Sequence, residues 1–278
     1  MKLITLTLFL SLHQFFPFSQ KSDEYEVYAV KYLDAGKHPA SDAAIGGKET
    51  DSIHSYFMVW LLKGSNNKYI LVDAGYNDTS KVASPKYTRP DLVLKRLNIS
   101  TDEISDIIIT HAHWDHIGGI TLFPKAKIWM NKEEYRYLTG EVWQEGAKTR
   151  GFKKQDARNI LEANLQGRLK LVEGDDVEIM PGIRAYIHSK HSFENMALVV
   201  NSNSEKNKIL LASDAIWFYY NLDHLLSNTL VIDSAAFVKN LKRLKTLVPN
   251  PKLIIPGHDA LIFSRFPEVA EGIVKIEE

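Results

Sequence analysis

Residues 106–116 read Asp106-Ile-Ile-Ile-Thr110-His111-Ala-His113-Trp-Asp115-His116. An apolar run of β-branched residues that stops at a polar turn is the pattern of a buried strand. Three imidazoles and one carboxylate then fall within six positions. Imidazole suits borderline divalent metals such as Zn²⁺, and a carboxylate adds a hard anionic donor. A strand that ends at His111, with a loop that turns over at Gly118-Gly119, lets alternate side chains converge on one point. The bland alternative is a cluster of surface histidines. Four donors at this spacing, with more downstream, weigh against it.

Three later strand ends supply those further donors. His191 follows the apolar stretch 183–187, Asp214 follows Ile209-Leu-Leu-Ala-Ser213, and His258 follows 253–255. Donors at the ends of several strands can meet at one sheet edge although far apart in the chain. The inventory becomes five histidines and two aspartates. That set suits two ions sharing a bridging carboxylate and a bridging water.

The His111-Ala-His113-Trp-Asp115-His116 motif, followed by His191, Asp214 and His258, resembles the metallo-β-lactamase fold superfamily. The resemblance covers essentially the whole chain after residue 20. Asp73-Ala-Gly75 also matches the short Asp-x-Gly turn that closes an early strand in that fold. The resemblance implies that His111, His113 and His191 hold a first zinc ion. It implies that Asp115, His116 and His258 hold a second, with Asp214 bridging. The first motif, the Asp214 segment and Ile255-Pro-Gly-His-Asp259 are most similar to N-acyl-homoserine lactonases, especially secreted ones. A dinuclear hydrolase that opens the lactone ring of a small acyl lactone is the implied activity, with Asp115 carrying the proton to the leaving oxygen.

Two departures from that family's pattern matter. Many such lactonases have a tyrosine three residues after the bridging aspartate, where its hydroxyl assists the substrate carbonyl. Here Trp217 stands there, so Tyr219 and Tyr220 become the candidates for that role. The third donor loop reads His188-Ser-Lys190-His191 where Thr-Pro-Gly-His is common, which makes His188 a rival to the favoured His191. Trp114 is expected to line an acyl-chain pocket with Trp217 or Phe193. His38, His54 and His224 lack donor-spaced neighbours and read as surface or satisfied core. Asp259 either orients a metal donor or caps the next turn.

Among rival readings, a glyoxalase-II-like thioester hydrolase uses the same donors but usually carries a basic C-terminal region. Here the tail 266–278 is acidic. A secreted β-lactamase of the cysteine-free type generally lacks the bridging carboxylate. The complete donor set, with Asp115 placed to carry a proton, weighs against a metal-binding protein without catalysis.

Composition sets outer bounds. The chain has 278 residues, 45% hydrophobic and 24% charged, which is ordinary globular usage. Lys2 precedes an apolar stretch over residues 3–12 that is too short to span a bilayer, and residues 1–20 contain no acid. That segment reads as a signal peptide cleaved near residue 20, so export is expected, with no stable membrane anchor. Without Lys2 the 34 basic side chains become 33 against 34 acids, a formal charge of −1. Such balance lacks the basic excess of a nucleic-acid partner. No cysteine is present, so every protein donor is His, Asp or Glu.

Strand signals cover 25–33, 52–63, 68–72, 107–110, 127–130, 169–172, 177–180, 183–187, 197–200, 208–211 and 253–255. Helices are expected over 91–97, 132–137, 155–165 and 234–248, where Phe237, Leu241, Leu244 and Val248 recur at helical spacing. Residues 34–50 read as a long loop, and long loops are often functional. The fold class is α/β (α+β). The expectation is one domain over 21–278, an αββα sandwich of two stacked mixed β-sheets with outer helices.

Overall fold

The computed structural model describes residues 23–65, 68–77, 86–187, 189–204 and 207–277. The expected signal peptide and His188 lie outside them. Strands β1 (Glu26–Pro39), β2 (Ser52–Lys63) and β3 (Tyr69–Val72) are antiparallel. Strands β4 (Ile104–Ile109), β5 (Lys127–Asn131) and β6 (Leu169–Val172) continue the sheet parallel to β3. A second sheet holds β7 (Val177–Met180), β8 (Ile183–Tyr186), β9 (Ala197–Asn201), β10 (Lys208–Ser213) and β11 (Ile254–Pro256). The chain ends with β12 (Glu268–Ala270) and β13 (Ile273–Ile276), which return to the first sheet beside β1. Both sheets are mixed, since β10 and β11 are parallel while the rest of the second sheet is antiparallel.

Side-chain alternation assigns the layers. On β2, Met58, Trp60 and Leu62 face the second sheet, while Val59 and Leu61 face outward. Leu198 and Val200 of β9 and Ile209 and Leu211 of β10 meet them from the other side. The outer face of the first sheet is covered by α1 (Pro90–Leu94), α3 (Lys132–Thr139) and α4 (Lys154–Leu165), through Val93, Leu138 and Ile160. Between α1 and α3 the metal motif itself forms a single turn, α2 (Trp114–Ile117). The second sheet follows the same rule. After α5 (Tyr219–His224), helix α6 (Ser234–Leu244) lays Phe237, Leu241 and Leu244 on Leu210, Ala212 and Ile254. A last turn, α7 (Ile262–Arg265), precedes β12. The layers are therefore α, β, β, α. β4 is buried on both faces, with Ile108 inward and Ile107 and Ile109 outward, which is why it reads as an unbroken apolar run.

Four local expectations need correction. β1 does not end at residue 33 but runs to Pro39, so the expected loop begins only after it. Register shifts at Lys31/Leu33 and Asp34/Gly36, with Gly36 at φ 87°, carry the strand past its apolar stretch. β6, expected from the sequence to group with the strands that follow it, belongs instead to the first sheet, because α3 and α4 provide a parallel crossover back to β5. α6 stops at Leu244, where Thr246 Oγ1 donates to the Arg243 carbonyl and Pro249 follows closely. The acidic tail, to which no element was assigned, supplies β12 and β13.

This topology sets the donors side by side. β10 and β11 pair in parallel, Leu210 with Ile254 and Leu211 with Ile255, so Asp214 and His258 leave the sheet at the same edge. A backbone bond from Met196 N to the Thr110 carbonyl, 2.8 Å, ties the end of β4 to the loop that carries His191.

Candidate metal centre

The donor atoms form two groups. His111 Nε2, His113 Nδ1 and His191 Nε2 converge, at 3.1 Å between the first two and 2.9 Å between the last two. Asp214 Oδ2 completes this group, 3.1 Å from His191 Nε2 and 3.7 Å from His111 Nε2. In the other group, His116 Nε2 lies 3.3 Å from Asp115 Oδ2, and His258 Nε2 lies 3.7 Å from it. Asp214 Oδ1 stands 3.3 Å from His116 Nε2 and 3.0 Å from His258 Nε2. Asp214 thus offers one oxygen to each group. All seven residues are buried.

In three of the histidines the opposite ring nitrogen is held by the protein. His116 Nδ1 bonds Asp73 Oδ2 at 2.8 Å, His258 Nδ1 bonds the Tyr56 carbonyl at 3.1 Å, and His111 Nδ1 lies 3.1 Å from Thr110 Oγ1. Such partners fix the ring orientation and leave the other nitrogen free for a metal. Asp73 has further tasks: it accepts from Thr110 N at 2.8 Å and from the Thr110 and Ser213 hydroxyls. Backbone strain collects here, with Asp73, Ser213 and Lys190 at φ 63°, 46° and 57°. Two glycines are needed for space. A Cβ on Gly151 would lie 2.5 Å from His113 Cδ2, and one on Gly257 would lie 2.7 Å from Asp214 Oδ1.

Electrostatics separate the two groups. Burial pushes His111 well below the ordinary imidazole range and takes His113 down to about 3, with neighbouring histidines adding repulsion. Burial works the same way on His116 and His258, but facing carboxylates outweigh it and raise both. These are Asp115, Asp214 and Asp73 for His116, and Asp214 and Asp115 for His258. Burial also opposes the charge of Asp214, yet His258, His116 and His191 hold its carboxyl well below the usual range.

The residues fit a divalent metal centre. His116 Nε2 and Asp214 Oδ1 are buried and have no hydrogen-bond partner among the described residues, a costly state for polar atoms unless they have another ligand. The donor spacings bracket the ~3.4 Å edge of a tetrahedron with bonds of ~2.1 Å. The donors are nitrogen and carboxylate oxygen, the set that imidazole-loving metals such as zinc take.

Above the donors opens a cavity of about 380 Å³, lined among others by Phe57, Trp114, Asp115, Trp217, Phe218 and Leu230. The candidate pocket residues divide here. Trp114 lines it, packed on Tyr76 at 4.9 Å, with Lys153 Nζ 4.5 Å above its ring. Trp217 lines it too, and its indole N–H donates to Asp214 Oδ2 at 2.5 Å. Phe193 does not line it: its ring stacks on Tyr137 of α3 at 4.7 Å. Neither tyrosine candidate reaches it. α5 starts at Tyr219 and turns both rings to a separate groove of about 560 Å³. Tyr219 lies under the Arg265 guanidinium at 3.8 Å, its phenol pushed up to about 12 chiefly by burial. Tyr220 donates to Asp51 Oδ2 at 3.0 Å. Asp259 caps, accepting from Leu261 N and Tyr219 N at 2.9 Å each.

Sequence reasoning passed over several contributors. His38 and Ser55 line the cavity, as does Arg150. Glu134, fully buried on α3, accepts from Ala112 N at 2.9 Å and Glu194 N at 2.7 Å, bracing two donor loops together. Asp73 was noted only as part of a turn. No local signal marks Glu134, which sits among Lys132, Glu133 and Arg136, and Asp73 shows only that turn. His54 instead bonds Asp34 Oδ1 at 2.7 Å and faces the second groove.

Comparison with known proteins places the chain. A model described as the metallo-beta-lactamase superfamily matches residues 51–258. An N-acyl homoserine lactonase of Bacillus cereus is 27% identical over 179 residues, 63% of this chain and 65% of that protein. The N-acyl homoserine lactonase AttM of Rhizobium johnstonii is 24% identical over 185 residues, 64% and 66% of the two chains. The alignments thus span just under two thirds of these relatives' own length. Among solved structures, an AiiA variant of B. thuringiensis with N-decanoyl-L-homoserine bound at its active site gives a TM-score of 0.67 at 22% identity, covering 89% of this chain and 98% of that one. AidC, a dizinc quorum-quenching lactonase in complex with a product, gives 0.66 at 17%, covering 93% and 98%. At such identities the structural likeness is one of fold. Fold and family model agree, and the chain belongs to the metallo-beta-lactamase superfamily.

Proposed function

We propose that this protein is a two-zinc hydrolase that opens the lactone ring of N-acyl-homoserine lactones, exported after loss of residues 1–20. The observation that carries the reading is Asp214, which divides its two oxygens between two donor groups at the floor of an aromatic-lined cavity. The relatives named as lactonases and the homoserine product held by a neighbour of the same fold support the substrate class.

A bound pair of divalent metals supplies a water-derived nucleophile at neutral pH and an electrophile for the carbonyl oxygen. The protein's share is placement. Trp114, Phe57 and Phe218 bury an apolar acyl chain beside the donors. Asp115 turns Oδ2 to His116 and His258, leaving Oδ1 to take a proton and return it to the leaving ring oxygen. A lactone suits this geometry because its carbonyl carbon and leaving oxygen stay within one ring.

The test is mass spectrometry of zinc-loaded protein with an acyl-homoserine lactone, S-lactoylglutathione and a cephalosporin. The expected product is the lactone plus one water, which closes again on acidification; amide cleavage would not reverse. Untouched lactones beside an opened β-lactam or thioester would refute the reading.

A further inference from the structure

One polar pair on the cavity wall serves no metal donor. His38 Nε2 and Ser55 Oγ are hydrogen-bonded, and both residues line the cavity. Ser55 is 7% exposed. It stands two residues before Phe57 on β2, so the two side chains project from one face. The Phe57 ring packs on His258 at 4.8 Å, and the His38 ring meets Phe218 edge-on at 5.9 Å. The pair therefore sits one side chain away from the second donor group.

The direction of the bond follows from what surrounds His38. Its Nδ1 lies 3.2 Å from the Pro39 carbonyl oxygen and 4.0 Å from Asp42 Oδ2. Both neighbours offer only lone pairs, so Nδ1 carries the ring hydrogen. In a neutral imidazole the other nitrogen then accepts. The Ser55 hydroxyl donates its hydrogen to Nε2, and what Ser55 turns to the cavity is an oxygen lone pair. Among the other polar side chains of the wall, Asp42 and Asp115 also accept, but the Asp42 side chain is 63% exposed and Asp115 belongs to the second donor group. The Trp217 N–H is committed to Asp214, and the Arg150 guanidinium offers donors only.

A buried acceptor with a fixed orientation selects a ligand that brings a donor. We propose that Ser55 Oγ, oriented by His38, accepts the amide N–H of the substrate and so selects N-acylated lactones over lactones without that N–H. The inference rests on the lactonase reading and names the part of the substrate that the reading leaves unassigned. The N–H stands on the ring carbon next to the lactone carbonyl, which places its partner close to the metal donors. A site built to hydrogen-bond one group discriminates against analogues that lack it, because its own polar atom is then left unpaired.

The test compares N-hexanoyl-homoserine lactone with its ester analogue, in which oxygen replaces the amide nitrogen. Zinc-loaded wild type and Ser55→Ala, matched for zinc content, are assayed with both at pH 8. We expect wild type to favour the amide. Ser55→Ala should cut that preference about tenfold, the size of one lost hydrogen bond, mainly through KM. Calorimetry with the ring-opened N-hexanoyl-homoserine should show a matching loss of affinity, and His38→Phe should reproduce part of it. An amide-to-ester ratio that Ser55→Ala leaves unmoved would overturn the proposal alone. A wild type that opens neither lactone would overturn the lactonase reading, and the proposal with it.

Discussion

Asp214 reaches both donor groups with one oxygen apiece, so a single substitution probes both. Asp214→Asn turns one charged oxygen into an amide nitrogen whose lone pair is delocalised and unavailable to a metal. Zinc retained after gel filtration should fall below one per chain by elemental analysis, and wild-type content would contradict the bridge. Asp115→Asn keeps the shape but removes the proton acceptor, and turnover should drop at least ~10²-fold, as for lost acid–base catalysis. Trp217→Phe removes the N–H donated to Asp214 Oδ2. Loss of such a supporting bond typically weakens metal affinity about 10–100-fold, which competition with a chromogenic chelator will read. At this scale the seven residues that the fold gathers were legible because imidazole and carboxylate chemistry shows in residue type and spacing. Their supports were not. Asp73, Glu134 and the His38–Ser55 pair act through contacts across 17 to 60 positions or more, and no local pattern marks them.

Helix α3 adds a constraint that its own stability does not need. Glu134 leaves the helix face to bond Ala112 N and Glu194 N, joining the loop after β4 to the loop after β8. Glu134→Ala would strand two N–H groups, at about 1–3 kcal/mol for each buried unsatisfied donor. The expected result is a melting temperature lower by several degrees and faster loss of zinc to chelator; an unchanged melt would exclude the brace. Elements with one strong period were legible: β2, β4 and α6 announce themselves by alternation, by an unbroken apolar run or by i, i+4 spacing. β12 and β13 were not, because each is short and Glu268, Glu271 and Glu277 mask the buried Ile273, Val274 and Ile276. The tail of β1 was missed for a related reason. Its stretch Asp34–Pro39 is polar because one side borders solvent and the site, and only pairing with β2 makes it a strand.

Across the whole molecule, metal binding and folding are linked, since the donors come from both sheets. A ligand that binds only the folded state adds RT ln(1 + [L]/Kd), about 4 kcal/mol at a thousandfold excess over Kd. Chelation should therefore lower the melting temperature. The size of that drop should depend on pH. His116 and His258 have raised pKa values, so in metal-free protein their ion pairs stabilise the fold below the ordinary imidazole value and fade as pH rises through the raised ones. Metal binding must displace those same protons and strengthens as pH rises. The chelator-induced drop should be larger at pH 8 than at pH 6, by melts with and without chelator; the reverse order would contradict the assigned protonation.

The return of β13 to the side of β1 also has a kinetic meaning. Val27 pairs with Ile276, so β1 waits for a strand made far later in the chain. Until that strand emerges from the ribosome, β1 has an open edge, and open edges recruit other chains. Synthesis therefore runs past residue 276 before β1 gains its second neighbour. A stalled or shortened product would be prone to aggregate, even with every metal donor already translated.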